Sequence, residues 1–167
     1  MSFSVGVIIM SDRAASGERE DGCLPVIEEA IKGTDFNLEQ SLLISDSPEA
    51  IRDALGDYIA RGISLILTSG GTGCTSRDNT PEVTLSLLDK PTPGLDEAIR
   101  AFSREKSPYA SFSRAVSGVA GKSYIINMPG SPKAVGEIIQ FLLPIIAHPL
   151  KLIAGAITDC QQDLTDK

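Results

Sequence analysis

Ile63-Ser64-Leu65-Ile66-Leu67-Thr68-Ser69-Gly70-Gly71-Thr72-Gly73 carries most of what this chain says about its architecture. The apolar run from Ile63 to Leu67 reads as a buried strand, and the residues from Pro81 to Leu88 read as a helix. Between them the chain breaks into glycines and hydroxyls. A strand that ends this way before a helix brings backbone N–H groups close to a phosphate. The segment that follows, Arg77-Asp78-Asn79-Thr80-Pro81-Glu82, adds in Asp78 a carboxylate suited to a magnesium ion.

The flanking sequence repeats the pattern. Val5-Gly6-Val7-Ile8-Ile9-Met10 is a continuous apolar run, as in a central parallel strand, and it ends in Ser11-Asp12-Arg13. From Asp21 to Lys32, Leu24, Ile27 and Ile31 recur at helical spacing, and Gly33 is the stop signal. Leu38 to Ile44 reads as a second strand, Ser47 to Arg61 as a helix stopped by Gly62, and Ile63 to Thr68 as the third strand. This alternation predicts a three-layer α/β/α fold with a mostly parallel central sheet. Further on, Pro93 to Lys106 reads as a helix and Ala110 to Val116 as a short helix or turn. Val116 to Ala120 and Ser123 to Met128 read as strands of a small antiparallel hairpin turning near Gly121-Lys122. The last helical region begins at Ser131. Its stretch from Ile138 to Ile157 is interrupted by Pro144, His148, Pro149 and Lys151, which predicts a buried amphipathic helix pair and not a membrane span. The organisation expected is one domain over residues 1–160 and a polar tail over 161–167.

Composition narrows the function. The chain has 167 residues, 42% hydrophobic and 22% charged, with a formal net charge of −7. That balance suits a globular domain and argues against general nucleic-acid binding, because no basic surplus is available to displace counterions. A phosphorylated ligand must then be held by local donors. Cys23, Cys74 and Cys160 are scattered with no CxxC spacing, so neither a zinc site nor a disulfide framework is indicated. The first residues carry no signal-peptide pattern, and a cytoplasmic protein is expected. His148, the only histidine, has no cysteine or serine partner in a recognisable nucleophile arrangement, and its apolar setting reads as structural. The stretch from Gly118 to Ser123 resembles the tail of a P-loop but lacks the leading glycine, and it precedes its strand.

Three helix starts share a hydroxyl followed by proline: Ser47-Pro48-Glu49, Thr80-Pro81-Glu82 and Ser131-Pro132-Lys133. In each, the hydroxyl reads as the N-cap and the proline as the first helical residue. Lys133 opposes the helix dipole in the third, which points either to ordinary tolerance or to an anion seated at Pro129-Gly130-Ser131. The loops starting at Ser11, Ser69 and Asn127 all lie at strand carboxyl ends, where open α/β sheets bind ligands. Asp46 and Asp78 have two open readings each: a local cap, or a group that holds Mg²⁺ or pairs with the N–H groups of a heterocycle. Glu82 is a weaker candidate of the same kind.

Four segments carry a resemblance. Ser11 to Gly17, Thr68 to Gly73, Arg77 to Thr84 and Asn127 to Lys133 resemble, in this order, the molybdenum-cofactor biosynthesis proteins of the MogA/MoaB type, a group that includes the G domains of gephyrin. The resemblance runs from about Val5 to Ala154. It implies a three-layer α/β fold, usually trimeric, that binds molybdopterin and in its enzymatic members transfers AMP from Mg-ATP to the molybdopterin phosphate. It further implies that Asp46 and Asp78 serve pterin binding and magnesium-dependent catalysis, and that Ser69 and Gly70, Gly71, Thr72 and Gly73 hold phosphate. Ser11, Asp12, Pro129, Gly130, Ser131 and Lys133 would line the cleft with Thr80, Pro81 and Glu82, and Arg114 would meet a phosphate. The implied cofactor is Mg²⁺ with ATP as co-substrate, and the implied partners are molybdopterin, two further copies of the chain and the molybdenum insertion protein of the pathway. Two alternatives stand beside the enzyme: a MoaB-type protein that binds the pterin and adenylylates little or not at all, and an oligomeric scaffold of the same fold.

Overall fold

A computed structural model of the chain describes residues 1–18 and 20–157. Cys160 and the tail expected over 161–167 lie outside the described residues. The elements in chain order are β1 (Phe3–Met10), α1 (Asp12–Ala15), α2 (Cys23–Ile31), β2 (Phe36–Ile44), α3 (Pro48–Ala60), β3 (Leu65–Ser69) and α4 (Thr80–Leu85). They continue with β4 (Lys90–Pro91), α5 (Pro93–Arg104), a 3-10 turn over Pro108–Phe112, β5 (Ser117–Ala120), β6 (Ser123–Met128) and α6 (Pro132–Ile153).

The six strands form one sheet in the order β2-β1-β3-β6-β5-β4. Strands β2, β1, β3 and β6 run parallel, and β5 returns antiparallel to β6 through the Gly121-Lys122 turn. The expected α/β fold with a mostly parallel sheet and a small hairpin is the fold observed. The two-residue β4, which pairs with β5, is too short and too rich in Lys and Pro to leave a strand signature in sequence.

Alternation along the strands sorts side chains onto two faces. Val5, Val7, Ile9, Leu65, Leu67, Tyr124, Ile126 and Met128 pack with α2, α5 and α6, while Ile8, Met10, Ile66 and Ile125 pack with α3 and α4. Strands β1, β3 and β6 are therefore buried on both sides, which is why β1 and β3 read as continuous apolar runs, whereas the edge strand β2 is partly exposed and carries Asn37, Glu39 and Gln40.

Helix α6 corrects the expected helix pair. It is one helix of 22 residues that contains both Pro144 and Pro149. Val135, Ile138, Ile139, Leu142, Ile146 and Leu150 keep helical spacing across the prolines and are all buried against the sheet side of the molecule. Burial along this stripe outweighs the backbone hydrogen bonds that the prolines remove. By length and composition alone the helix could cross a membrane, but here it is a core helix.

Two of the three expected caps also change. The Ser47 hydroxyl does accept the Ala50 N–H at 3.2 Å. At α4 the cap position is Asn79, and the Thr80 hydroxyl instead donates to the Gly70 carbonyl at 3.0 Å. At α6 the Ser131 side chain makes no cap hydrogen bond.

Candidate functional site

The parallel strands deliver their carboxyl ends to one edge of the sheet, and the order reverses between β1 and β3, the place where such sheets open a crevice. A cavity of ≈ 640 Å³ lies there, lined in part by Ser11, Asp12, Asp46, the loop from Gly70 to Gly73, Arg77, Asp78 and Gly130. Asp12 and Asp46 join the ends of β1 and β2 reciprocally. The Asp12 N–H donates to the Asp46 carboxylate at 2.9 Å, and the Asp46 N–H donates to the Asp12 carboxylate at 3.0 Å. Arg77 reaches across and donates twice to the other oxygen of Asp12, from Nε at 3.0 Å and from its terminal nitrogen at 2.5 Å.

The environments of the three aspartates differ. Hydrogen bonding from the Asp46 N–H and then from Arg77 holds the Asp12 carboxyl below its ordinary value. Burial pushes Asp46 above it, with the charges of Asp12 and Asp78 adding to the rise and the Asp12 N–H and Arg77 opposing it. At Asp78 burial also raises the carboxyl, but the Thr75 hydroxyl, the Thr75 N–H and the Gly73 N–H outweigh it and the net shift is downward. Among the described residues no cluster of three or more His, Cys, Asp or Glu could cage a metal alone. Paired carboxylates do fit Mg²⁺, which typically takes one or two of them and completes its shell with water and substrate phosphate.

The glycine loop is built from close approaches. Gly70 adopts φ 105°, and a Cβ on it would lie 2.3 Å from the Met10 carbonyl; Gly71 adopts φ 65°, and its Cβ would lie 2.3 Å from the Thr80 hydroxyl. The loop's polar anchors face inward. Gly70 N–H donates to Met128 O, the Ser69 hydroxyl to Pro129 O, and Thr80 N–H to Gly71 O. The N–H groups of Gly71 and Thr72 have no partner among the described residues. They are the donors available to a phosphate.

Thr72 and Gly73 also line a second cavity of ≈ 660 Å³ on the other side of the loop, together with Pro129, Ser131 and Lys133. The sequence-predicted residues are thus divided between two adjoining cavities. Ser69, Thr80 and Pro81 are buried behind the loop, while Glu82 and Arg114 pair with each other on its flank. The charges separate as well. The first cavity carries Asp12, Glu20, Asp21, Asp46 and Asp78 against Arg13 and Arg77. The second carries Arg100, Lys106 and Lys133 against Glu137, among apolar groups that include Ile99, Tyr109, Phe112 and Ile138.

A family model described as "probable molybdopterin binding domain" matches residues 6–148. The chain belongs to this molybdopterin-binding domain family. Molybdopterin adenylyltransferase of Helicobacter pylori is 34% identical over 163 residues, 92% of this chain and 89% of that protein. The crystal structure of the molybdopterin biosynthesis enzyme MoaB from Thermus thermophilus matches with a TM-score of 0.87 and 42% identity, covering 92% of this chain and 97% of that one. The molybdenum cofactor biosynthesis bifunctional protein of Synechococcus elongatus is 35% identical over 150 residues, 90% of this chain, and this chain spans 47% of its length.

Seen as a molybdopterin-binding domain, the site contains residues to which the sequence assigned no role of their own. Asn127 is 1% exposed and donates to the Thr68 and Thr84 hydroxyls, both at 2.9 Å, tying α4 to the sheet beneath the glycine loop. Asp21 accepts the Cys23 and Leu24 N–H groups and starts α2 at the cavity wall. Arg77 had only its place beside Asp78 as a signal. Its partner Asp12 is 65 positions away, so no local pattern could have named the pair.

Proposed function

We propose that this chain is a molybdopterin adenylyltransferase of molybdenum cofactor biosynthesis, working in the cytoplasm. A phosphate oxygen of molybdopterin attacks the α-phosphorus of ATP. The new P–O bond forms as the bond to the bridging oxygen breaks, and pyrophosphate leaves with that electron pair. Such a transfer depends on positioning and charge neutralisation and needs no protein nucleophile. Its support is one observation: the Asp12–Asp46 pair and the Gly70 to Gly73 loop share a cavity at the point where the strand order reverses.

The roles follow from the contacts. The free N–H groups of Gly71 and Thr72 bind a phosphate oxygen, and Arg77 supplies positive charge beside them. Asp46 and Asp78 are the residues that would hold Mg²⁺, which when bound draws charge from the departing pyrophosphate. The second cavity, cationic and apolar, suits an aromatic heterocycle with an anionic arm, and Thr72-Gly73 is the wall where the two substrates' phosphates meet. Incubation with molybdopterin and Mg-ATP should give adenylyl-molybdopterin and pyrophosphate, and Asp78→Asn should lower the rate about a hundredfold or more. Absence of product from the wild-type chain sinks the reading, and a fully active Asp78→Asn sinks the role given to that residue.

A second reading has its own support. The likeness to the Thermus MoaB, at 42% identity, supports a MoaB-type molybdopterin-binding protein with little transfer activity. Tight pterin binding with no ATP turnover at any magnesium concentration selects it. In either case we read the molecule as a homotrimer, which as an adenylyltransferase passes its product to the molybdenum insertion protein, and light scattering of the purified chain tests the trimer.

A further inference from the structure

We propose that Arg114 is a positioning residue that acts on Asp78 through the backbone of the loop, without touching a phosphate. The inference rests on the adenylyltransferase reading. Arg114 lies between the 3-10 turn and β5, and it lines neither cavity. Its donors are spent on the segment that carries Asp78. Its N–H donates to Thr72 O at 3.1 Å, Nε to Gly73 O at 2.6 Å and one terminal nitrogen to Asp78 O at 2.5 Å. The other terminal nitrogen pairs with the Glu82 carboxylate in the first turn of α4.

One side chain therefore fastens both ends of a loop that is otherwise held by the Thr75–Asp78 turn, the Gly73 N–H on the Asp78 carboxylate, the Asn79 side-chain contacts and the two bonds from Arg77 to Asp12. A planar guanidinium reaches these three acceptors from three separate nitrogens, whereas a lysine offers its three donors from a single point. Glu82 orients the clamp. It acts through Arg114, and the distance between the Asp78 carboxylate and Asp46 depends on both.

The pair gives the proposal a sign that separates it from phosphate binding. If Arg114 is a clamp, Glu82→Gln and Arg114→Lys each loosen the loop. In the ligand-free protein the amides from Gly73 to Thr80 should then exchange with deuterium about tenfold faster or more, the sheet amides staying unchanged. The kcat of adenylyl transfer should fall about ten- to a hundredfold, because a displacement of about 1 Å at a catalytic group costs that much. Dissociation constants for AMP and molybdopterin should move less than about threefold, less than 0.7 kcal/mol. If Arg114 is instead a phosphate ligand, Glu82→Gln frees it: pyrophosphate binds more tightly and loop exchange stays as in the wild type. Either of those two results overturns the proposal. Should the wild-type chain show no transfer at all, the functional reading fails on its own, and the exchange measurement still decides the role of Arg114. Thermal melts of both variants confirm that they are folded when measured.

Discussion

Asp12 and Asp46 accept each other's backbone N–H groups, yet their carboxyls shift in opposite directions. The consequence for stability follows from linkage. Asp12, lowered from 3.8, stabilises the fold above that value, and the contribution is lost as pH falls through its folded value. Asp46, raised from 3.8, does the reverse: its contribution is full below 3.8 and is lost as pH rises through its folded value. At neutral pH an ionised Asp46 is thus a stability cost kept at the site. Asp46→Asn keeps an oxygen for the Asp12 N–H and removes the charge. It should melt higher than wild type at pH 7, with the difference shrinking towards pH 4, while adenylyl transfer falls about a hundredfold. A variant that melts lower at pH 7 contradicts this account. The glycine loop makes a second demand at single residues. Gly71→Ala meets both a positive φ and the Thr80 hydroxyl at 2.3 Å, so urea denaturation should show a loss of about 1–3 kcal/mol.

At the scale of elements, sequence told start signals apart from their uses less well than it told helices from strands. Ser47-Pro48 and Ser131-Pro132 are the same local pattern, but only the Ser47 hydroxyl accepts a helix N–H. Ser131 lies on the wall of the second cavity. Ser47→Ala should therefore cost about 1 kcal/mol, and Ser131→Ala should stay within about 0.5 kcal/mol, with denaturant midpoints giving the comparison directly. Helix α6 shows the converse. Pro144 and Pro149 are strong local stop signals, yet the chain continues through them because the stripe from Val135 to Leu150 has a core to bury against. Periodicity carried that information, and the punctuation obscured it.

Across the whole molecule the main feature is a division of charge. An acidic cavity and a cationic, partly apolar one share the wall Thr72-Gly73. A polyphosphate entering the acidic side meets carboxylates that repel it unless a divalent cation comes with it. Chelation should weaken ATP binding by at least about tenfold, or 1.4 kcal/mol, while molybdopterin binding changes much less. Calorimetry with and without a chelator measures both, and equal losses for the two ligands count against the division of roles.

The sequence by itself determined the alternation of strands and helices, the parallel sheet and the glycine loop as a candidate site. These are local matters: continuous apolar runs mark strands buried on both faces, and glycines mark backbone that side chains cannot occupy. Only the tertiary structure decided how the site is assembled. It paired Arg77 with Asp12, turned Arg114 towards the loop, gave the Thr80 hydroxyl to Gly70, and set Ser131 and Lys133 on a different cavity from Asp46. The physical reason is the strand order. Placing β6 beside β3 and β1 between β2 and β3 brings together groups some 10 to 65 positions apart, and most of these partners lie beyond the reach of any local sequence pattern.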